Sequence, residues 1–204
     1  MKLFFAQGNN MTEIRKSGII LHPTSLPGPD GIGDLGPSAY VWLDALKTAG
    51  IGLWQVLPLS PTGYGDSPYQ AFSAFAGNPY LISPALLMDK GWLLAEDFAD
   101  RPEFPSEYVD FGQAIQWKLK ILNRAFERFV QTSPDLHDYD SFIKDNAFWL
   151  DDSALFMTIK ENQNGVAWTD WPEPLRNRQP EAIKEFKTAY APEINRQRFF
   201  QYCF

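Results

Sequence analysis

Apolar residues in the first sixty positions are spaced as expected for a strand, a helix and a second strand. Two short apolar runs, residues 18–22 and 53–59, reach prolines and are typical of buried strands. Between them a helix is predicted from Pro37 or Ser38, with Gly50 just beyond its end as a C-cap. Its apolar positions are Ala39, Trp42, Leu43 and Leu46. Since strand, helix and strand in this order form a right-handed crossover, we expect parallel strands.

Two long loops follow the carboxyl ends of these strands. Residues 23–36 contain four glycines and three prolines, and residues 60–80 are rich in Gly, Pro, Ser, Tyr and Asn. Parallel strands bring their carboxyl ends to one face, which is the active face of an α/β barrel. Because long loops at that face usually carry functional residues, we expect both loops to contribute to the functional site of the protein.

After residue 83 the pattern changes to helices. A short helix is predicted over 83–88 and ends before Gly91, and a longer one is predicted over 113–130. Two more are predicted, one from Asp140 or Ser141 to Lys160 and one from Pro180 to the last residue. The inward positions are expected to be Ile115, Leu119, Leu122, Phe126 and Phe129, then Phe148, Leu155 and Ile159. We therefore divide the chain into a tail (1–16), two strands with their loops (17–83) and a mostly helical subdomain (84–204).

Composition narrows the function classes. With 45% hydrophobic residues, the 204-residue chain can bury a core, and its net charge of −7 with no basic cluster argues against nucleic acid as a partner. No apolar stretch approaches the ~18 residues that span a bilayer, so no membrane partner is expected. The single cysteine, Cys203, fits a reducing, cytoplasmic compartment. No metal-ligand cluster or phosphate loop is present in the sequence, so no cofactor is implied.

The densest chemistry lies in the seven residues from Tyr64 to Gln70. They include two tyrosine rings, the Asp66 carboxylate, the Ser67 hydroxyl and an amide, in a backbone shaped by glycine and proline. Flat rings that stack on an apolar face, beside short hydrogen-bonding groups, suit a sugar. A tight turn whose tyrosines only pack explains the same residues, so the residues alone leave both readings open.

Five motifs in a fixed order identify a related family. They are His22-Pro-Thr-Ser-Leu-Pro-Gly28, Gly31-Ile-Gly-Asp-Leu-Gly36, Trp54-Gln-Val-Leu-Pro-Leu59, the Tyr64 to Gln70 run, and Ala74-Phe-Ala-Gly-Asn-Pro-Tyr-Leu81. Together they resemble the N-terminal region of 4-alpha-glucanotransferases, also called amylomaltases or disproportionating enzymes. The resemblance is dense over 17–80 and recognisable at 109–112, 149–160 and 168–176. It implies an α/β fold, the N-terminal part of a (β/α)8 TIM-type barrel with an inserted, mostly helical subdomain.

The resemblance assigns substrate-binding roles within the Tyr64 to Gln70 run. In the family, the tyrosine at the position of Tyr69 lies against the sugar at the bond being broken. Ser67 and Gln70 flank it, where they either hydrogen-bond donor-side hydroxyls or cap a turn. Asp66 either binds a hydroxyl or accepts backbone N–H groups in its own turn.

Two further positions bear on binding. Tyr64 resembles the tyrosine that the family uses for a remote glucan-binding groove, but Ile115 stands where a second aromatic residue is expected. That departure predicts a weak remote groove.

His22 ends the first strand on the active face, and a structural hydrogen bond is favoured over a general-base role because no paired carboxylate is evident.

No catalytic residue can be assigned. Cleavage of a glycosidic bond with retention needs two carboxyl groups about 5–5.5 Å apart. In the family these acids come from later barrel strands. The neighbouring Asp151 and Asp152 do not qualify, because adjacent helical side chains diverge by about 100°. The aromatic run 199–204 ends without a helix cap, so we expect the chain to be the N-terminal part of a longer protein. Because no carboxyl pair is assigned, we expect no activity from the chain alone.

The resulting functional hypothesis concerns the longer protein. It would transfer α-1,4-glucan segments, including malto-oligosaccharides, to the 4-hydroxyl of an acceptor glucan or glucose by a retaining mechanism. An alpha-amylase-type hydrolase on the same barrel is the alternative enzyme. A non-catalytic glucan-binding fragment is the alternative for these 204 residues alone.

Overall fold

The fold is mostly helical, with a small parallel sheet near its beginning. The computed structural model describes residues 15–63, 67–132 and 136–204. Its strands are β1 (Gly18–Ile20) and β2 (Leu53–Gln55). Its helices are α1 (Pro37–Thr48), α2 (Pro84–Asp89), α3 (Phe111–Thr132), α4 (His137–Asp145), α5 (Ala147–Asn162), α6 (Glu173–Arg176), α7 (Pro180–Ala189) and α8 (Ala191–Cys203). Short 3-10 turns lie at Pro23–Ser25, Pro79–Leu81, Ala95–Phe98 and Trp168–Asp170.

The two strands pair in parallel, as predicted, with Gly18 opposite Leu53 and Ile20 opposite Gln55. They are shorter than the apolar runs that contain them. A hydrogen bond from the Leu21 amide to the Gln55 carbonyl (3.0 Å) extends the pairing by one step. Beyond it, the second run continues without a strand partner in the described part of the chain.

The prediction that these strands are buried is wrong for this chain. Ile20 is 59% exposed and Leu53 is 52% exposed. In the described residues the sheet has only two strands, so most of its apolar side chains have nothing packed over them. Trp54 is the better-covered position, since it contacts Trp42 of α1 at 6.5 Å between ring centroids.

The first two helices follow their predicted boundaries. Helix α1 begins with Pro37 at its first position, and Gly50 follows its end with φ +70°. Helix α2 is followed in the same way by Gly91, with φ +73°. Both glycines occupy the left-handed region that disfavours residues with a β-carbon, so the sequence signal for a helix end is local and strong.

The predicted helix over 140–160 is wrong in two respects. It begins earlier, at His137, and divides at Asn146 into α4 and α5. At the division the Asn146 side chain makes local hydrogen bonds of the kind that compete with a helix: its amide donates to the Phe142 carbonyl (2.8 Å) and its oxygen accepts from the Trp149 indole (3.0 Å). Leu155 is buried, as predicted.

The inward position predicted for Phe148 is also wrong, since this side chain is 73% exposed. It contacts Phe75 edge-on at 5.5 Å between ring centroids, instead of the helical core. Similarly, the predicted last helix divides at Tyr190 into α7 and α8.

The core lies where α8 crosses α3 and α4. Phe199 of α8 is fully buried, 4.7 Å from Phe129 of α3 between ring centroids. Trp92 and Tyr139 contact the same Phe129 ring, each at 5.1 Å. A second cluster joins α5, α7 and α8. Its buried members are Ala154, Leu155, Ile159, Trp171, Phe186 and Ile194.

The buried face of α3 is offset from the predicted one. Leu122 and Phe129 are buried as expected, whereas Ile115, Leu119 and Phe126 are only partly buried. The other buried positions are Ala114, Trp117, Lys118, Ile121 and Ala125. The offset brings a lysine into the interior, which the apolar pattern did not predict.

Lys118 joins α3 to the loop over residues 23–36. Its side chain is fully buried, and the Nζ donates to Asp34 Oδ2 (2.7 Å) and to the Ile82 carbonyl (2.8 Å). Burial lowers the pKa of Lys118, and the neighbouring Asp34 and Asp30 carboxylates oppose that shift. The residue before Lys118 is Trp117, and its indole N–H donates to Asp30 Oδ1 (2.8 Å). An irregular loop is thus held by two side chains of one helix.

In the part of the chain that the structure describes, no helix is both long enough and apolar enough to cross a membrane.

We predict that Lys118→Met destabilises the chain by about 3 kcal/mol or more, because it leaves a largely buried carboxylate and a carbonyl without their donor. Lys120→Met is the matched control on the same helix. Lys120 pairs with Asp100 at the surface, where both side chains are about half exposed, and its loss should cost less than about 1 kcal/mol. Urea unfolding followed by circular dichroism measures both. Equal costs would contradict a special role for Lys118.

Candidate functional site

A short hairpin carries three of the predicted sugar-binding residues, Ser67, Tyr69 and Gln70. Thr62 and Ala71 form an antiparallel bridge, the Gly63 amide donates to the Gln70 carbonyl (2.9 Å), and the Phe72 amide donates to the Pro61 carbonyl (3.2 Å). The hairpin lies within residues 60–77, called here the tyrosine loop. These contacts bring together the two ends of the segment that contains the Tyr64 to Gln70 run.

Within the hairpin, Ser67 begins a turn. Its carbonyl accepts from the Gln70 amide (3.0 Å) and its hydroxyl accepts from the Tyr69 amide (3.4 Å). Ser67 therefore has the turn-forming contacts that were one of its two predicted roles. The Tyr69 side chain is 73% exposed, and Gln70 is exposed beside it. An ordered backbone thus carries an open aromatic ring.

The other predicted site residues are not all described. Tyr64 and Asp66 lie outside the described residues. Ile115, at the position expected to complete the remote groove, is partly buried on α3.

The base of the tyrosine loop is closed by its own backbone. The Asn78 amide donates to the Leu59 carbonyl (2.7 Å), which brings the two ends of the loop together. The Asn78 side chain is buried and accepts from the Tyr80 amide (3.0 Å) at the start of a 3-10 turn. Asn78, Pro79 and Tyr80 thus turn the chain back into the body of the fold.

Helices α5 and α8 hold the tyrosine loop from outside. Gln201 of α8 makes two hydrogen bonds to Gly77: its Oε1 accepts from the Gly77 amide (2.8 Å), and its Nε2 donates to the Gly77 carbonyl (3.0 Å). Phe75 stacks on Trp149 at 6.3 Å between ring centroids, and Phe72 lies 6.0 Å from Phe156. Sequence reasoning missed these residues. The one available signal was a polar Gln201 within an otherwise apolar, mostly aromatic run.

A small cavity lies between the two loops. It has a volume of about 190 Å³ and is lined by residues from both, including His22, Thr24, Thr62 and Pro68. His22 Nδ1 lies 2.8 Å from the Thr24 hydroxyl and accepts from the Thr24 amide at 3.4 Å. Burial lowers the pKa of His22, and the nearby Pro58 carbonyl partly opposes this. These contacts cap the 3-10 turn Pro23–Ser25, as expected for a structural histidine.

A larger cavity of about 700 Å³ lies behind the tyrosine loop, against α3, α5 and α8. Its lining includes the rings of Phe72, Phe156 and Trp168. At its polar edge, Glu161 accepts from Arg196 (2.5 Å) and Gln197 (2.7 Å). The volume falls in the range of small-molecule sites.

The adjacent Asp151 and Asp152 have different partners. Asp151 accepts from Arg198 (2.7 Å) on α8, and Asp152 accepts from Arg178 (2.6 Å) before α7. They therefore do not converge on one point, in agreement with their helical spacing. In the described residues no group of three or more His, Cys, Asp or Glu side chains could hold a metal ion.

A family profile described as 4-alpha-glucanotransferase matches residues 21–204, which is nearly the whole described chain. The chain belongs to the 4-alpha-glucanotransferase family. The match extends through the loops and the helices described above, so family membership does not rest on the tyrosine loop alone.

Curated relatives agree with this assignment. The 4-alpha-glucanotransferase of Thermus thermophilus is 48% identical over 192 residues, which cover 93% of this chain and 38% of that protein. That of Synechocystis is 42% identical over 195 residues, covering 94% of this chain and 38% of that protein. The chloroplastic/amyloplastic enzyme of Solanum tuberosum is 42% identical over 178 residues, covering 84% and 31%. The chain thus spans less than two fifths of the length of these 4-alpha-glucanotransferases.

A solved structure supports the same relationship. An amylomaltase from Streptococcus agalactiae, in complex with acarbose, matches with a TM-score of 0.88 and 34% identity. The match covers 94% of this chain and 39% of that one. The arrangement of loops and helices described here is therefore shared with part of an amylomaltase.

We predict that His22 makes the stability of the chain fall as the pH drops below about 6.5. Because the folded chain lowers the pKa of His22, the neutral ring is favoured in the folded state. Above the unfolded pKa of about 6.5 that contribution is fully present, and it is lost as the pH falls through the folded pKa. Chemical unfolding at several pH values should show the loss, and His22→Gln should reduce it. His137→Gln is the control. An unchanged pH profile for His22→Gln would refute the prediction.

Proposed function

We propose that the longer protein is a retaining 4-alpha-glucanotransferase with a (β/α)8 barrel. In this proposal the chain provides the first two barrel strands, the donor-side loop and much of a helical subdomain. Membership of the family over residues 21–204 supports the activity. The parallel pairing of β1 and β2 and the loops that follow them support the barrel placement.

The proposed reaction has two steps. A carboxylate attacks the anomeric carbon of an α-1,4-glucan while a carboxylic acid protonates the departing 4-oxygen, which forms a covalent glucosyl enzyme. The 4-hydroxyl of another glucan then attacks that carbon and displaces the first carboxylate, while the second carboxyl group, deprotonated in the first step, accepts the proton of the hydroxyl. Both acids would come from outside these 204 residues. No cofactor takes part in this scheme.

The proposed substrates are α-1,4-glucans and malto-oligosaccharides. A related amylomaltase whose structure contains acarbose supports a carbohydrate ligand. In this chain the supporting observation is Tyr69, which is 73% exposed and whose amide donates to the Ser67 hydroxyl in a turn. A ring on a backbone that already forms a turn can stack on a sugar with little further loss of backbone entropy. Gln70 and Ser67 would then contact hydroxyls on the donor side.

Asp66 and Tyr64 complete the proposed binding residues. Asp66 would bind a hydroxyl near Tyr69, and Tyr64 would contact glucan farther from the reacting bond. Without an aromatic partner at Ile115, the contact at Tyr64 would be weak.

Incubation of the longer protein with maltotriose tests the reaction type. Glucose together with oligomers longer than maltotriose would support transfer. Glucose and maltose without longer products would indicate an alpha-amylase-type hydrolase instead.

We predict that Tyr69→Ala lowers turnover on maltotriose much more than Tyr64→Ala does. Misplacement at the reacting carbon can cost ~100-fold, whereas a remote stacking contact is worth about 1 kcal/mol. Tyr69→Phe, which keeps the ring, should retain most of the turnover. Steady-state kinetics with folding checked by circular dichroism measures all three. Near-wild-type rates for Tyr69→Ala and Tyr64→Ala alike would leave the loop a structural turn.

We also predict that the 204-residue chain alone does not disproportionate maltotriose, because no catalytic carboxyl pair can be assigned to it. Product analysis by chromatography with purified chain tests this. Transfer that disappears on a single substitution within residues 1–204 would show that the catalytic acids are here.

A further inference from the structure

The contact between α8 and the tyrosine loop has the geometry of a positioning device. Gln201 binds both the amide and the carbonyl of Gly77, at 2.8 and 3.0 Å. Two hydrogen bonds to one residue restrain both the position and the tilt of the backbone, as a neighbouring strand would. The partners are 124 residues apart in the sequence, so the contact links separate parts of the fold.

Gly77 is suited to this contact because it has no side chain. A β-carbon there would lie 2.1 Å from Cδ1 of Phe204, which packs against the same point. Gly77 is buried, so its amide and carbonyl need partners inside the protein. Gln201 supplies both.

From Gly77 the restraint extends to the hairpin. The next residue, Asn78, closes the loop by donating to Leu59. On the preceding side, the Ser73 hydroxyl accepts from the Ala76 amide (3.0 Å), and Phe72 donates to Pro61 at the base of the hairpin. Each step is a hydrogen bond to the backbone, so a shift at Gly77 would be transmitted to the hairpin that carries Tyr69.

We propose that Gln201 is a positioning residue for the glucan-transfer reaction: it fixes the base of the tyrosine loop so that the Tyr69 ring meets the reacting sugar. The inference rests on the proposed function of Tyr69. Gln201 touches no substrate in this account and acts only through the loop.

Gln201→Met in the longer protein removes both hydrogen bonds and keeps the length of the side chain. We expect kcat on maltotriose to fall about 10-fold to 100-fold, with KM changed less, because alignment and not binding is lost. Gln116→Met is the matched control: Gln116 is an exposed glutamine on α3, and its replacement should leave kcat unchanged. Wild-type kcat for Gln201→Met would overturn the proposal.

A double-mutant cycle with Tyr69→Ala identifies the route of the effect. If Gln201 acts through Tyr69, Gln201→Met should lower kcat far less in the Tyr69→Ala background than in the wild type. Equal losses in both backgrounds would overturn the proposal. Wild-type turnover for Tyr69→Ala alone would instead overturn the proposed role of Tyr69.

Amide hydrogen exchange separates positioning from folding. Gln201→Met should speed exchange of peptides within residues 60–77 while leaving the protection of α3 and α5 unchanged. Unchanged exchange in 60–77 would overturn the proposal, whatever the kinetics. Faster exchange throughout the chain would also overturn it, because Gln201 would then serve overall stability and not the loop.

Discussion

A buried ion pair between Lys118 and Asp34 is the interaction on which the arrangement of the first loop depends. Residues 23–36 contain little regular structure, so their backbone cannot be organised by a ladder of its own. Lys118 supplies a charge partner to Asp34 and a donor to the Ile82 carbonyl, and Trp117 binds Asp30 in the same loop. Burying the ammonium group of Lys118 costs free energy. That cost is offset because Asp34 and the Ile82 carbonyl both lie within hydrogen-bond distance of it. The loop, α3 and the chain near Ile82 therefore stabilise one another.

The second loop obeys the same constraint with different chemistry. Residues 60–77 are held at one point by the amide of Gln201 and along one side by the Phe75 and Trp149 rings. Each loop has turn hydrogen bonds of its own, but these do not attach it to the helices. Each is fixed by helices that come later in the sequence, α3 for the first and α5 and α8 for the second. The helical part of the chain thus acts as the support of the two loops, whatever else it does.

This dependence explains what the sequence could and could not predict. The ends of α1 and α2 were predicted well because Pro37, Gly50 and Gly91 act through local backbone geometry. The division at Asn146 was missed because an asparagine within a helical pattern has no such obligatory effect. Lys118 was missed because a charge on a helix ordinarily marks the solvent face, and its partner is 84 residues away. Strand burial was predicted wrongly because an apolar run indicates which side chains need to be covered. It does not indicate whether these 204 residues cover them.

For the candidate site, the sequence indicated which residue types could bind a sugar, but not which contacts hold them in place. The motifs around Tyr69 follow from residue types in one short segment, and a turn at Ser67 is visible in them. The hydrogen bonds at Gly77 come from Gln201 of α8, and the sequence around residue 77 gives no signal that predicts them. A binding loop has to keep its polar and aromatic groups exposed, so it cannot bury them to fix itself in place. Its rigidity has to come from its base. In this chain one such restraint lies at Gly77, whose amide and carbonyl are both bound by the distant Gln201.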